Sequence, residues 1–594
     1  MAKKFPKETA KKPFKRLIMT TTLIKNGTFF DGTGAKGKKA DVLLKDGKVE
    51  AVYDQAPEIE HAKEIDASGK WVTPGFIDIH THYDAEIEVM PGLEESLRHG
   101  TTTVVMGNCS ISAALGKDED IVDLFCRVEN MPAQVLTEWI KDRITWKNLG
   151  EYYEHLESLP MGPNVASFVG HSNIRITAMG VERSFKEPKA TEAEKVKMDN
   201  YLQEAMEAGY LGMSIDMLPF HRWGGVFTKD FKGTSVPSQQ ASVKEYRRLA
   251  NILRRYDRVL QATPNALDKM SGVHLLGMSS GLFRKPLKTT IVAAMDLKSN
   301  ESIHKLVTTL ATMGKRFFNA DMKFQALAMP FLNYGEGPIT PLFEEFPSMV
   351  EVIGATPEER KAAFEDPAFR KWFKKDWNHK ATSVFPRLLK EMTVVKAPDT
   401  SLIGKTFQEL ADKQRGDGLD YFMDLIIKYD TDLIWKCTAA NHRNDVRVKL
   451  LAHEATIPGF NDSGAHNVNM AFHDGSLQAL RQSLEYPEIF PLEKAINRLT
   501  KMPAEWLGLD AGSLEIGKRA DVCVLDPSKL DTGLTEEPIE DYHPSLKGSF
   551  RYVKRSDGVV NHVLVNGEEV FNDKTGFSAG LGKQKYGKLL RSMN

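Results

Sequence analysis

Between Phe76 and Met502 the chain alternates short apolar runs with longer helix-like stretches, and this alternation narrows the possible folds more than any other feature. Residues 102–107, 165–170, 210–215 and 289–294 read as strands buried on both faces. Residues 193–208 and 242–256 read as helices between them, the first stopping at Gly209. Buried strands separated by helices argue for a parallel α/β architecture, and the length suits a distorted (β/α)8 TIM-like barrel with insertions. Residues about 335–400, rich in Phe, Trp, Lys and Glu with Pro breaks, read as a helical insertion packed on that barrel.

Both ends of the chain look different. Asn26-Gly27 and Asp46-Gly47 sit between apolar runs, the strongest short-range hairpin signal. Residues 520–526 and 559–567 repeat the style near the C-terminus. Neither set is enough to bury two sheet faces alone, so both are expected to join in one small β-sandwich. The expected organisation is a basic extension over 1–19, a first sandwich part over 20–74, a barrel over 75–502, and a second sandwich part with a tail over 503–594.

Composition excludes several function classes. The 594 residues carry 79 Lys+Arg against 80 Asp+Glu, which leaves no basic field to hold nucleic acid. Four cysteines without a Cys-x-x-Cys do not make a disulfide framework and suit a reducing compartment. No apolar run is long enough to span a membrane, and the basic start lacks the apolar core of a secretory signal. A cytoplasmic protein is expected, and a homo-oligomer is left open. Gly32-x-Gly34-x-x-Gly37 runs into a strand rather than a helix, so it reads as a turn. Gly277-x-Ser279-x-Gly281 lacks the following helix of a nucleophile elbow.

The sharpest chemical signal is Phe76-Ile77-Asp78-Ile79-His80-Thr81-His82. Spacing of two puts both imidazoles on one face of a strand, and inside a barrel that face is the interior. Two histidines with a carboxylate and an open position are a way hydrolases hold catalytic zinc. In isolation His-x-His is more often a structural pair.

Taken with its context, this segment resembles the first-strand motif of the amidohydrolase superfamily. Gly100 through Ser110, containing Gly107-Asn108-Cys109, is similar to the second-strand motif of the D-aminoacylase (N-acyl-D-amino-acid deacylase) branch, where a cysteine ligates zinc. Gly170-His171-Ser172-Asn173-Ile174-Arg175 and Asp462-Ser463-Gly464-Ala465-His466 resemble further motifs of that branch, and residues 499–521 resemble its return to the sandwich. The resemblance implies a metal site of His80, His82, Cys109 and Asp462, holding zinc as one or two divalent ions. Asp462 is implied as the catalytic group that takes a proton from water and passes it to the leaving amine. His171, Arg175, His221 and His466 are implied as substrate contacts, with Arg175 suited to a substrate carboxylate.

Two departures stand out. The branch carries two more zinc-binding histidines, where this chain has Gln261-Ala262-Thr263-Pro264-Asn265 and Ala294-Met295-Asp296-Leu297-Lys298. Asp296 or Lys298 could substitute as a ligand or serve in salt bridges. Bland alternatives remain for the others: a core thiol for Cys109, a helix cap for Asp462, and a structural role for His473. The implied activity is hydrolysis of a C–N amide bond in a small molecule, such as deacylation of an N-acyl D-amino acid. A cyclic-amide hydrolase and a catalytically silent scaffold are the competing readings.

Overall fold

The computed structural model describes residues 21–379, 384–414, 416–535 and 537–593. The basic extension over 1–19 lies outside them. Among the described residues no helix is long and apolar enough to cross a membrane, and all four cysteines are unbonded.

Parallel strands form the centre. Phe76–Asp78, Thr101–Met106 and Asn164–Ser167 make a three-stranded sheet. Val169–Gly170, Gly212–Asp216, Val259–Thr263, Lys288–Ala294, Asp321–Ala326 and Thr456–Pro458 make a six-stranded one. Phe460–Ser463 pairs in parallel with His80–Thr81. The pairing thus runs in a ring, but not as one continuous closed sheet. It breaks at Ile79, Phe168 and Gly459, where single bonds carry the connection: Ile79 N–H donates to Gly459 at 2.9 Å and Phe168 N–H to Met106 at 3.0 Å. Two of these breaks immediately precede His80 and the Asp462 strand, so the irregularities re-aim the residues of interest here.

Several central strands are buried along their whole length, as in Thr101–Met106, Gly212–Asp216 and Val259–Thr263. Strands that face the inside of a ring on one side and covering helices on the other require this. The helix Glu192–Ala208 begins at a capping box, with Thr191 and Glu194 each bonding the other's backbone N–H, and Gly209 closes it at φ 97°. That combination satisfies orphan backbone groups at both ends.

Strands from the two chain ends share one sheet. Its nine strands include Thr22–Phe29, Lys38–Lys45, Lys48–Tyr53 and Trp71–Pro74 from one end, and Val522–Leu525, Val560–Val565 and Glu568–Asn572 from the other. The junction is antiparallel pairing of Val522–Leu525 with Trp71–Pro74. Alternation along one strand serves two cores. Val522 and Val524 pack with Ile24, Val42 and Leu564, whereas Cys523 and Leu525 pack with Phe76, Leu97 and Leu499. The hydrogen bonding gives a single sheet that wraps its own core, rather than two separate sheets. Asp46-Gly47 is a hairpin turn with both φ angles positive, at 51° and 75°. Asn26-Gly27 is not. It lies inside the strand Thr22–Phe29, at a register shift, with the Asn26 N–H donating to Asp41 at 2.8 Å. A bulge and a turn need the same left-handed residue, which is why the two look alike in sequence.

The insertion is larger than 335–400 and is not wholly helical. It includes an antiparallel sheet of Phe331–Glu336, Thr393–Lys396 and Ile434–Ala440. Its core is aromatic, with Phe343, Phe346, Phe373, Trp377, Phe422 and Trp435 in mutual ring contact. This core is continuous with the barrel side, since Phe460, Met470 and Phe472 belong to the same cluster.

Candidate active site

His80 and His82 stand where the first strand gives way to a loop, and the strand's period of two brings both rings inward. Their Nε2 atoms are 3.2 Å apart. Cys109 Sγ is 3.4 Å from His80 Nε2, and the ligand atoms of these three residues lie within 4.8 Å of one another. Asp462 completes the group, with Oδ1 3.6 Å from His80 Nε2 and 3.5 Å from His82 Nε2.

His80 Nδ1–H donates to Gln325 Oε1 at 2.7 Å, which leaves its Nε2 lone pair free to ligate. His82 Nδ1 stands 3.1 Å from Glu129 Oε1 without a hydrogen bond to it. An oxygen beside Nδ1 is the outer-shell arrangement typical of metal-bound histidine. Burial holds the His80 imidazole down to about 3, so it stays neutral and able to ligate. A divalent cation fits this donor set: two imidazoles, a thiol and a carboxylate are the groups that zinc accepts.

The backbone is strained where it presents the ligands. Cys109, Asp462 and His466 have φ of 51°, 52° and 44°, a region that non-glycine residues occupy at a cost and usually at functional sites. Other strands hold them there. Cys109 N–H donates to Gln261 Oε1 at 3.0 Å, and Ser110 N–H to Ser214 Oγ at 3.0 Å. Asp78 clips the first and last strands together, accepting from Ser463 Oγ at 2.7 Å and from Asn461 N–H at 3.3 Å.

The four residues open into a cleft of about 150 Å³. Glu129, Arg127, His221, Thr263 and His466 also line it, as do apolar Val292, Met295, Phe331, Phe385 and Met470. Thr263 and Met295 face the cleft from the stretches where the D-aminoacylase resemblance expects histidines. The Thr263 hydroxyl donates to Cys109 Sγ at 3.3 Å. Asp296 and Lys298 turn elsewhere, to Arg443 Nε at 2.8 Å and Glu391 at 2.6 Å.

Two expected substrate contacts lie elsewhere. His171 and Arg175 are fully buried on the helix His171–Met179, outside the cleft lining. Arg175 donates to both Glu245 oxygens at 2.6 and 2.7 Å, and His171 Nε2 stands 3.1 Å from the same carboxylate. They clamp that helix to Val243–Arg255, which corrects the expectation that Arg175 takes a substrate carboxylate. Removing one partner of a buried pair is costly. Arg175→Met should therefore destabilise the fold by about 3 kcal/mol or more, with turnover per folded molecule unchanged. Thermal melting and kcat/KM on the same preparation check this; wild-type melting with a raised KM would restore Arg175 to the substrate. His473 is likewise buried, stacked on His99 at 6.3 Å and outside the cleft lining.

Glu129 and Gln325 have no counterpart among the sequence candidates. Glu129 follows the helix Asp118–Val128 as its cap, and its carboxylate is 2% exposed between His82 and His466. No motif surrounds either residue, so only the folded geometry marks them.

Comparison with known proteins agrees with this architecture. The chain matches the amidohydrolase family profile over residues 63–259 and 368–570. An uncharacterized protein of Mycobacterium tuberculosis is 36% identical over 595 residues, spanning 96% of this chain and 94% of its own. The N-acyl-D-glutamate deacylase of Alcaligenes xylosoxydans xylosoxydans is 24% identical, over 92% of this chain and 93% of its own. Among solved structures, a D-aminoacylase shares the fold with a TM-score of 0.63 at 20% identity, covering 96% of this chain and 99% of that one. The family profile, the long match to a relative and the shared fold all lead to one conclusion: this chain belongs to the amidohydrolase family.

Proposed function

We propose that this protein is a metal-dependent hydrolase that cleaves the C–N bond of a small-molecule amide, on a distorted (β/α)8 scaffold. The observation that carries this reading is the clustering of the His80, His82 and Cys109 ligand atoms within 4.8 Å of one another in a cleft, with Asp462 Oδ1 3.6 and 3.5 Å from the two Nε2 atoms. A bound divalent cation, most simply zinc, would lower the pKa of water from about 15.7 to about 7 and polarise the scissile carbonyl. His80, His82 and Cys109 would hold it, and Asp462 would take the proton released by the attacking water. Burial pushes the Asp462 carboxyl above the ordinary carboxylate range in the metal-free protein, while the nearby His221 charge works against that rise. With Thr263 and Met295 facing the cleft in the stretches where further ligands are expected, one cation is the proposed complement.

The relatives that are deacylases make N-acyl D-amino acids the first substrates to try. The experiment is metal analysis of protein purified without added metal, followed by turnover of N-acyl-D-amino acids, N-acyl-L-amino acids and cyclic amides. About one bound ion per chain with turnover of an acyl series is the expected result. Ring opening alone would select the cyclic-amide reading, and bound metal without any turnover the silent-scaffold reading.

A further inference from the structure

The cleft contains a second carboxylate–imidazole pair that the chemistry of Asp462 does not use. Asp216 ends the strand Gly212–Asp216, and its Oδ2 lies 2.7 Å from His221 Nδ1. The Asp216 carboxylate is fixed in place. Its Oδ1 accepts from the Leu218 N–H at 2.7 Å, and the Asp216 N–H donates to Ser238 Oγ at 3.0 Å. Gln239 then ties the loop, its Nε2 donating to the His221 carbonyl at 3.1 Å. A carboxylate held against Nδ1 selects the Nδ1–H tautomer and leaves Nε2 as the working atom.

His221 belongs to the cleft. The His221 side chain is 20% exposed whereas Asp216 is 0% exposed, and His221 lines the same cavity as His80, His82 and Asp462. Burial alone would lower the basicity of His221, but the Asp216 charge and hydrogen bond together with the Asp462 and Glu344 charges outweigh it and raise it. His466, the other imidazole in the lining beyond the metal ligands, is driven the opposite way by burial, to about 3. Of the two, His221 is the one equipped to carry a proton.

Amide hydrolysis needs two proton transfers. Water loses a proton as its oxygen adds to the carbonyl carbon, and the nitrogen must gain one because an amide anion is too basic to leave. The geometry points to His221, oriented by Asp216, as the acid that delivers the second proton. His221 enters this step as the imidazolium: as the C–N bond breaks, its electron pair passes to nitrogen and the Nε2 proton joins it, leaving the neutral Nδ1–H ring. The carbonyl carbon keeps the hydroxyl derived from water, so one water and one amide give one carboxylic acid and one amine. The proton taken by Asp462 leaves to solvent, and His221 regains one from there. This inference rests on the hydrolase reading above, and it separates the base from the acid where the family resemblance gives both roles to Asp462.

The test compares amides of one acyl group with two leaving amines of similar size, ethylamine and trifluoroethylamine, the acyl group being the one wild type accepts best. The fluorinated amine is far less basic and departs with little help from an acid. His221→Asn should lose about 100-fold or more on the ethylamide and at least about tenfold less on the trifluoroethylamide, with melting and bound metal unchanged. Asp216→Asn should show the same pattern, weaker. A readout independent of turnover is the imidazole ¹⁵N spectrum of metal-free, histidine-labelled protein. It should show His221 protonated on both nitrogens at low pH and as the Nδ1–H tautomer once it loses a proton, and Asp216→Asn should shift this titration. Equal loss on both amides, or an Nε2–H tautomer in wild type, overturns the assignment. Wild type that hydrolyses no amide at all overturns the hydrolase reading instead.

Discussion

Asp462→Asn should lower turnover by at least about a hundredfold while the protein stays folded, because a positioned general base supplies about 10²–10⁴-fold in rate. The substitution keeps the volume and removes the proton acceptor. Asp462 sits in the strand Phe460–Ser463, whose pairing with His80–Thr81 is made by the backbone and survives the change. Its carboxylate is the only acidic group of the cleft whose oxygen faces both Nε2 atoms, at 3.6 and 3.5 Å, among the described residues. The melting temperature should shift only modestly, except through weaker metal binding. Measuring kcat, melting and bound metal together separates the two effects. Near-normal turnover with metal retained would remove Asp462 from the mechanism and move the base to His221 or His466.

What the sequence could reveal about this site followed from how local each signal is. His80 and His82 are two residues apart on one strand, so period two alone puts them together. Cys109 and Asp462 were reachable only through family motifs, because nothing in spacing relates residue 109 to residue 462. His171 and Arg175 came from a motif of the same kind, and there the inference failed. The motif records that both residues matter, but their partner is Glu245, about 70 residues on, which the motif does not contain. Once Glu245 is in place, burying a charge without a partner would be prohibitive, so the arginine is committed to structure rather than substrate.

The fold shows the same division. Apolar runs buried on both faces identified the parallel strands, and Asp46-Gly47 identified a hairpin. The three breaks in the strand ring were not legible, since a break depends on pairing partners hundreds of residues away, as in Gly459 accepting from Ile79. The sheet inside the insertion escaped for a related reason. Phe331–Glu336 reads Phe-Leu-Asn-Tyr-Gly-Glu, a mixed run that becomes a strand because Ile434–Ala440 pairs with it. Tertiary pairing, not propensity, decides such segments.

Glu129→Gln should weaken metal binding by about 10–100-fold, the usual effect of changing an outer-shell partner of a metal-bound histidine. Glu129 Oε1 is 3.1 Å from His82 Nδ1, and its other oxygen is 4.0 Å from His466 Nε2. Without a cation, burial first and the Asp462 charge second push its carboxyl well above the ordinary range. That position is costly for a carboxylate, and a residue kept there against such a cost needs a compensating partner. An imidazole N–H made more acidic by a cation on its other nitrogen is that partner. Glutamine keeps an oxygen beside the ring, and the charge that strengthens the ligand is lost. The fold should be unharmed or slightly stabilised, because a buried acid is replaced by a neutral amide of the same shape. Competition against a chelator of known affinity measures the binding, and thermal melting of the metal-free protein measures the fold. Unchanged metal affinity would make Glu129 a packing residue. Weaker metal binding together with a more stable metal-free protein would show that this acid is held for the metal and not for the fold.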